Sequence, residues 1–217
     1  MSHQQPRQIS VTLFTLLVLG VLMRATFLLW HPPFDTDFYD YETMAGLRES
    51  WFVMHFFVGA PGVVIAFVTF GMLAVTLAST GRVAQTLALA GTLVASAGAL
   101  LFGFGLAAEG VVWQWTTDPA VIDPASGAAL LRGIEAAPLT TPLIMLGSAV
   151  LIPLGVLLLL VAMLIARTVP RWLLIATFAI LIIGAVVPPV PMVAAVSVAL
   201  QSIALIAIGF FAVRTPK

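Results

Sequence analysis

Long apolar runs, separated by short segments rich in proline, glycine and charged residues, dominate the pattern of this chain. A helix needs roughly 20 predominantly apolar residues to cross the hydrocarbon core of a bilayer. Six runs approach or exceed this length, and together they predict an all-α fold, a polytopic membrane helical bundle in one domain. The predicted transmembrane spans are about 9–30, 51–78, 83–115, 138–166, 172–187 and 192–213.

Glycine recurs at every seventh position along part of the third span. Because seven residues make nearly two helical turns, such positions lie on one face of the helix. Small residues let helix backbones approach closely in membranes, so this face predicts a tight helix–helix contact, which we call the glycine seam. The seam comprises Gly91, Gly98 and Gly105, with Ala95 and Phe102 at the intervening positions.

The composition agrees with this pattern and removes several classes of function. The chain is 61% hydrophobic and 8% charged, with a mean hydropathy of +1.14, far from the values of soluble domains. Cysteine is absent, which excludes disulfides, thiolate metal sites and a cysteine nucleophile. The sequence has no Walker loop, no zinc-protease helix motif and no hydrolase elbow. It also has no basic face that would bind nucleic acid.

No cofactor is predicted. Lysine is absent from every span, which argues against a retinal Schiff base. No second histidine lies deep in a span to share a haem iron with His55.

Basic and acidic residues separate between the two ends of the predicted bundle. Six spans place both termini on one side, which holds six of the nine basic residues and none of the nine acidic ones. The six are Arg7, Arg82, Arg167, Arg171, Arg214 and Lys217. By the positive-inside rule this side is cytoplasmic, so we predict a multi-pass protein of the inner (plasma) membrane with both termini in the cytoplasm.

Prolines and polar residues inside the spans predict bends and hydrogen bonds between helices. Pro61 and Pro153 lack a backbone donor and should bend the second and fourth spans. Gln201 and Ser202 lie near the middle of the sixth span. There, hydrogen bonds between helices are a better explanation than contacts with a ligand.

Three ionisable residues, Arg24, His55 and Glu109, lie at similar depth near the outer ends of the first three spans. At 1.5 Å per residue, Arg24 is about 10 Å inside the end of its helix. Charged residues in membranes are costly and usually face protein or water. One interpretation is therefore an Arg24–Glu109 ion pair beside a hydrogen-bonded His55. Another is that Arg24 extends to the lipid headgroups without a partner.

The functional interpretation is an outward-facing polar pocket around the same three residues. Arg24 would bind an anionic or carbonyl group, and His55 and Glu109 could exchange protons. Further residues at this depth are predicted to form its walls, namely Trp113 with Trp115, and Thr140 with Thr141.

An acidic, aromatic segment follows the first span. Its four carboxylates within eight residues could chelate a hard cation such as Ca²⁺, which takes several oxygen ligands. The spacing does not fit an EF-hand, however, and a solvated acidic loop explains the same pattern. The weak metal candidates are Asp35, Asp37, Asp40 and Glu42.

Four short features occur along nearly the whole chain in a familiar order. They are His31-Pro32 after the first span, His55 opening the second, Glu109 late in the third, and the Val-Pro-Arg-Trp step 169–172 before the fifth. In these features the chain resembles a loose, mostly uncharacterised group of six-helix, actinobacterial-type integral membrane proteins. The resemblance implies the six-helix topology and supports His55 and Glu109 as site residues, but it implies no activity.

Three hypotheses of function follow. The first is a membrane protein whose outward-facing pocket binds or transports a small or lipid-like ligand. The second is an accessory subunit that packs through the glycine seam against a membrane protein partner or a second copy of the chain. The third is an intramembrane enzyme that uses His55 and Glu109 as acid and base.

Overall fold

The structure is a computed structural model that describes residues 4–33, 36–138, 140–186 and 191–214. These residues form helices joined by turns, so the predicted all-α fold is confirmed for the described part of the chain. The helices are α1 (Gln4–Trp30), α2 (Tyr41–Leu77), α3 (Arg82–Thr116), α4 (Pro124–Ala136), α5 (Thr141–Ala166), α6 (Arg171–Val186) and α7 (Pro191–Arg214).

Five helices are long and apolar enough to cross a membrane. They are Gln8–Trp30 within α1, the whole of α2, α3 and α5, and Ala195–Arg214 within α7. Helix α6 is apolar but has only 16 residues, which corresponds to about 24 Å of helix. The sixth span therefore stays a prediction, whereas the described residues form a helical bundle with five candidate spans, which is typical of a membrane protein.

Helix α2 begins at Tyr41, well before the predicted start of the second span at residue 51. Asp40 caps it, because its carboxylate accepts a 2.8 Å hydrogen bond from the backbone N–H of Thr43. Hydropathy alone did not reveal this first part, since the segment 41–50 is polar. The added turns bury Met44 and lead into Trp51, which is also buried and lines the candidate site.

Two π-helical turns interrupt the spans that contain proline. They cover Val53–Gly59, just before Pro61, and Leu146–Leu151, just before Pro153. A proline ring clashes with the carbonyl four residues earlier and cannot donate to it. A wider turn relieves both problems, and such turns often occur at functional sites. At the two prolines marked by the sequence, the departure from α geometry is thus local and extends over one or two turns.

The glycine seam is a close helix contact, as predicted. Helix α3 packs between α2 and α5, and the seam lies against α5. A Cβ atom placed on Gly98 would lie 2.8 Å from the backbone nitrogen of Ile152 and 3.1 Å from the carbonyl oxygen of Gly147. The chain's own α5 therefore covers the seam, and a partner protein would need another surface.

Helices α1 and α7 pack on the other side of α2. Gly62 of α2 faces the backbone of Arg24, where an added Cβ would lie 2.8 Å from the Arg24 nitrogen. Helix α2 is consequently the most enclosed span, with 61% of its apolar window buried. The residues around its first turns are thus available to build an internal site.

Candidate functional site

A cavity of about 330 Å³ lies at the end of the bundle where α1 and α3 end and α5 begins. We call it the aromatic pocket because six of its fifteen lining residues are Phe, Tyr or Trp. The lining residues are Phe27, Leu28, His31, Phe38, Tyr39, Trp51, His55, Phe102, Leu106, Glu109, Trp113, Thr141, Ile144, Met145 and Ser148.

Most of the residues predicted for a pocket meet here. His55, Glu109, Trp113 and Thr141 line the cavity. Thr140 lies behind it, and its hydroxyl donates a 2.8 Å hydrogen bond to Oε1 of Glu109. Comparing depths along separate helices was therefore sufficient to find residues that lie close together in space.

Arg24 is the exception, and its predicted pairing with Glu109 is wrong. Its Nη2 donates a 2.9 Å hydrogen bond to Oε1 of Gln201 in α7, and its guanidinium lies 5.6 Å from the centre of the Phe67 ring. The described residues contain two close acid–base pairs, Arg48 with Asp118 and His55 with Glu109, and neither involves Arg24. The unpartnered, snorkelling alternative is also wrong. Gln201 is instead confirmed as a residue that hydrogen bonds between helices.

Trp115 is also outside the pocket. Its side chain is 62% exposed on the surface of α3, whereas Trp113 is 3% exposed. The indole Nε1 of Trp113 donates a 2.7 Å hydrogen bond to the carbonyl of Phe38. This bond ties the segment between α1 and α2 to the end of α3 and closes one side of the pocket.

The fully buried His55 projects from the π-helical turn of α2. Its Nδ1 is 3.0 Å from the carbonyl oxygen of Trp51. Because a carbonyl oxygen only accepts, the ring proton lies on Nδ1. In the neutral ring, Nε2 is then an acceptor, and it faces Oε2 of Glu109 at 3.9 Å, beyond hydrogen-bonding distance. Gly110 leaves the space for this approach, since its added Cβ would lie 3.1 Å from that of His55.

His31 is the main site residue that the sequence analysis missed. Its ring centre lies 5.7 Å from that of His55, and it contacts the rings of Phe27, Phe38 and Trp51. The sequence marked His31 only as part of the His31-Pro32 step, and no second histidine was expected deep in a span to pair with His55. The two histidines were nevertheless at the same predicted depth, at the outer ends of the first and second spans, and that coincidence could have revealed the pair.

The carboxylates of the acidic segment have local structural roles where they are described. Asp37 accepts a 3.0 Å hydrogen bond from the backbone of Tyr39. The hydrogen bond from Thr43 lowers the pKa of the capping residue Asp40. Glu42 lies in the first turn of α2, and Asp35 lies outside the described residues. Across the described ranges, no three His, Asp or Glu side chains form a group that could hold a metal ion.

Two acidic residues act on Tyr39, which lines the aromatic pocket. The pKa of Tyr39 is raised by its burial and by the negative charges of Glu109 and Glu135. Its phenol thus stays neutral at physiological pH. Arg48, the arginine of α2, pairs with Asp118, which lies beyond the end of α3; the two side chains are 3.3 Å apart.

We expect the stability of the protein to depend on the protonation of His31. Burial lowers its pKa below the ordinary value of 6.5. The unfolded chain then binds a proton more readily than the folded one, so stability should fall as the pH drops below about 6.5. Thermal unfolding in detergent between about pH 7.5 and 5.5 tests this. His31→Phe should reduce the pH dependence, and an unchanged slope in this variant would contradict the assignment.

The fold and the pocket define the class of protein as a helical membrane bundle with a ligand-sized, aromatic cavity near one end. Comparison of the chain with protein-family models, with curated proteins and with solved structures gives no match. The resemblance to six-helix, actinobacterial-type membrane proteins therefore stays a prediction.

Proposed function

We propose that this protein binds a small or lipid-like ligand in the aromatic pocket. The observation that carries the proposal is a pair of buried polar atoms on residues that line the cavity, Nε1 of Trp51 and Nε2 of His55. Neither has a hydrogen-bond partner among the described residues. Buried polar groups are normally paired. Two such groups in one cavity, one a donor and one an acceptor, favour a ligand that satisfies both.

The composition of the walls supports an amphipathic ligand. Four apolar residues of α3 and α5 line the cavity, namely Phe102, Leu106, Ile144 and Met145. The polar residues of the lining include His31, His55, Glu109, Thr141 and Ser148. A ligand with an apolar part and a polar head would match this mixed lining, which is usual for small-molecule sites.

We also propose that α6 is the sixth span, that both termini are cytoplasmic and that the pocket faces outward. The charge separation along the sequence supports it through the positive-inside rule. The pocket also lies at the end of α3 that is opposite Arg82. The site would then be reached from the outer face of the plasma membrane or from its outer leaflet.

Cysteine labelling tests this topology, because the parent chain contains no cysteine. We expect Thr36→Cys to react with an impermeant thiol reagent in intact cells, and Gly81→Cys to react only after the membrane is opened. Both positions lie in turns between spans. Labelling of Gly81→Cys alone in intact cells would reverse the orientation.

A second candidate function is acid–base catalysis at the same site. The 3.9 Å gap between His55 Nε2 and Glu109 Oε2 would let a bound hydroxyl or amine contact both groups. Thr140 orients the carboxylate and the Trp51 carbonyl orients the imidazole, which is how catalytic pairs are held. An accessory-subunit function is less well supported, since α5 covers the glycine seam.

Native mass spectrometry of gently solubilised protein tests ligand binding. We expect a bound small molecule or lipid that is depleted in Trp51→Phe, which removes the indole N–H and retains an aromatic ring. Trp115→Phe is the matched control, because Trp115 is exposed and outside the pocket. Equal retention in both variants would contradict a site at Trp51. A bound protein in place of a small molecule would favour the accessory-subunit hypothesis.

A further inference from the structure

We propose that the aromatic pocket binds a protonated amine, the ammonium head of an alkyl amphiphile, between Glu109, His55 and the surrounding aromatic rings. This inference rests on the proposed function and names the chemical class of its ligand. It replaces the anionic or carbonyl group that the sequence analysis assigned to Arg24.

The charge of the pocket lining favours a cation. Arg24 lies away from the cavity, bound to Gln201. Among the described lining residues, there is no lysine or arginine, and Glu109 is the acid. Its carboxylate is only 17% exposed, so little water screens it. An anionic head would be repelled at this position, and a cationic head would be attracted.

The hydrogen-bond acceptors of the pocket also favour an ammonium group. Thr140 occupies Oε1 of Glu109 and leaves Oε2 directed at His55. Nε2 of His55 and this Oε2 are two acceptors 3.9 Å apart. A single ammonium group carries several N–H donors and can reach both at ordinary hydrogen-bond lengths of about 2.7–3.2 Å. A carboxylate or an ether head has no donor for either acceptor.

The arrangement of the aromatic rings in the pocket favours a cation as well. The Trp51 ring stacks on His55 with 4.0 Å between centres, and Phe38 lies 4.9 Å from Trp51. Phe27 meets His55 edge-on at 5.2 Å. Aromatic faces are negative and attract cations within about 6 Å, most strongly for Trp. Because these rings and Glu109 line the same cavity, the rings add to the attraction of the carboxylate for a cation.

Two further features define the rest of the ligand. The Trp51 Nε1–H is a donor without a partner among the described residues, so the ligand should carry an oxygen acceptor near its nitrogen. The apolar lining residues Leu106, Ile144 and Met145 would accommodate an alkyl chain. Burial, and after it the charges of Glu109 and Glu135, raise the pKa of Tyr39, which lines the same cavity. An aminophospholipid head and a free alkylamine share the ammonium group.

Titration calorimetry with short, soluble probes tests the inference. The protein is placed in phosphatidylcholine nanodiscs, and hexylamine, hexanol and hexanoate are titrated at pH 7 against empty nanodiscs. We expect hexylamine to bind at least about tenfold more tightly than either other probe, because its charge-assisted hydrogen bonds are stronger. Glu109→Gln should abolish this preference, whereas Trp115→Phe should retain it.

Different failures have different meanings. If hexanol or hexanoate binds the parent protein as well as hexylamine, the amine assignment is overturned but a ligand pocket remains. This comparison needs no variant and stays informative even if Glu109→Gln does not fold. If no probe binds and no small molecule co-purifies, the proposed function fails as well. Addition of phosphatidylethanolamine to the nanodiscs distinguishes the sources, since competition with hexylamine indicates the lipid head and its absence indicates a free amine.

Discussion

Gly98→Leu is expected to be one of the most damaging single substitutions in this protein. A Cβ at this position would already lie 2.7 Å from the Cβ of Leu151 and 2.8 Å from the backbone nitrogen of Ile152. Side chains can rotate away from an added group, but a neighbouring backbone can move only with its helix. Overpacking typically costs about 1–3 kcal/mol, and we expect the upper part of that range. A lower thermal unfolding temperature in detergent would show it.

Gly46→Leu is the matched control for this change. Gly46 is an exposed glycine in α2, and an added Cβ there would meet no atom within 4 Å. Leucine is the better helix former by somewhat less than about 1 kcal/mol, so this variant should be as stable as the parent or slightly more stable. Similar unfolding temperatures for Gly98→Leu and Gly46→Leu would contradict the close packing of α3 on α5.

The second large effect is expected at the contact between Arg24 and Gln201. Gln201→Leu would remove the acceptor of the 2.9 Å hydrogen bond from Arg24 and leave a partly buried cation without it. A hydrogen bond to a charged group contributes about 1.5–3 kcal/mol, and the loss of one partner costs at least as much. Arg24→Met combined with Gln201→Leu should recover part of this loss, because the double variant contains no charge that lacks an acceptor.

A double-mutant cycle on unfolding free energy measures this coupling, which we expect to be about 1–3 kcal/mol. The control cycle combines Arg24→Met with Glu109→Gln. These side chains have separate partners in the structure, Gln201 for one and Thr140 for the other, so their effects should add to within about 0.5 kcal/mol. Strong coupling in the control cycle, with none in the first, would restore the ion pair that the sequence suggested.

The two contacts behind these predictions could be foreseen from the sequence to different degrees. The glycine seam was predictable because a helix has a fixed period, and residues spaced by seven share one face in any helical environment. The sequence also predicted that this face makes a close contact, since small residues have that role in membranes. It did not show that α5 is the partner, because the period of one helix carries no information about its neighbours.

The candidate site was predictable in depth but not in direction. Counting residues from the ends of the spans placed His55 and Glu109 in one layer, and both line the aromatic pocket. The same count placed Arg24 there, because depth alone does not distinguish the faces of α1. Packing of α1 against α7 directs Arg24 to Gln201 instead. His31 enters the pocket through ring contacts with Phe38 and Trp51, which the sequence did not place beside it.

The sequence by itself determined the all-α class of the described residues, five helices long and apolar enough to cross a membrane, and the small-residue face of α3. It could do so because hydropathy and helical period are local properties of a chain. The tertiary structure decided which helices are neighbours, that α5 covers the seam, and that Arg24 and Glu109 bind different partners. The physical reason is that each side chain contacts only what its own helix face meets, and the arrangement of those faces is set by the packing of all the helices together.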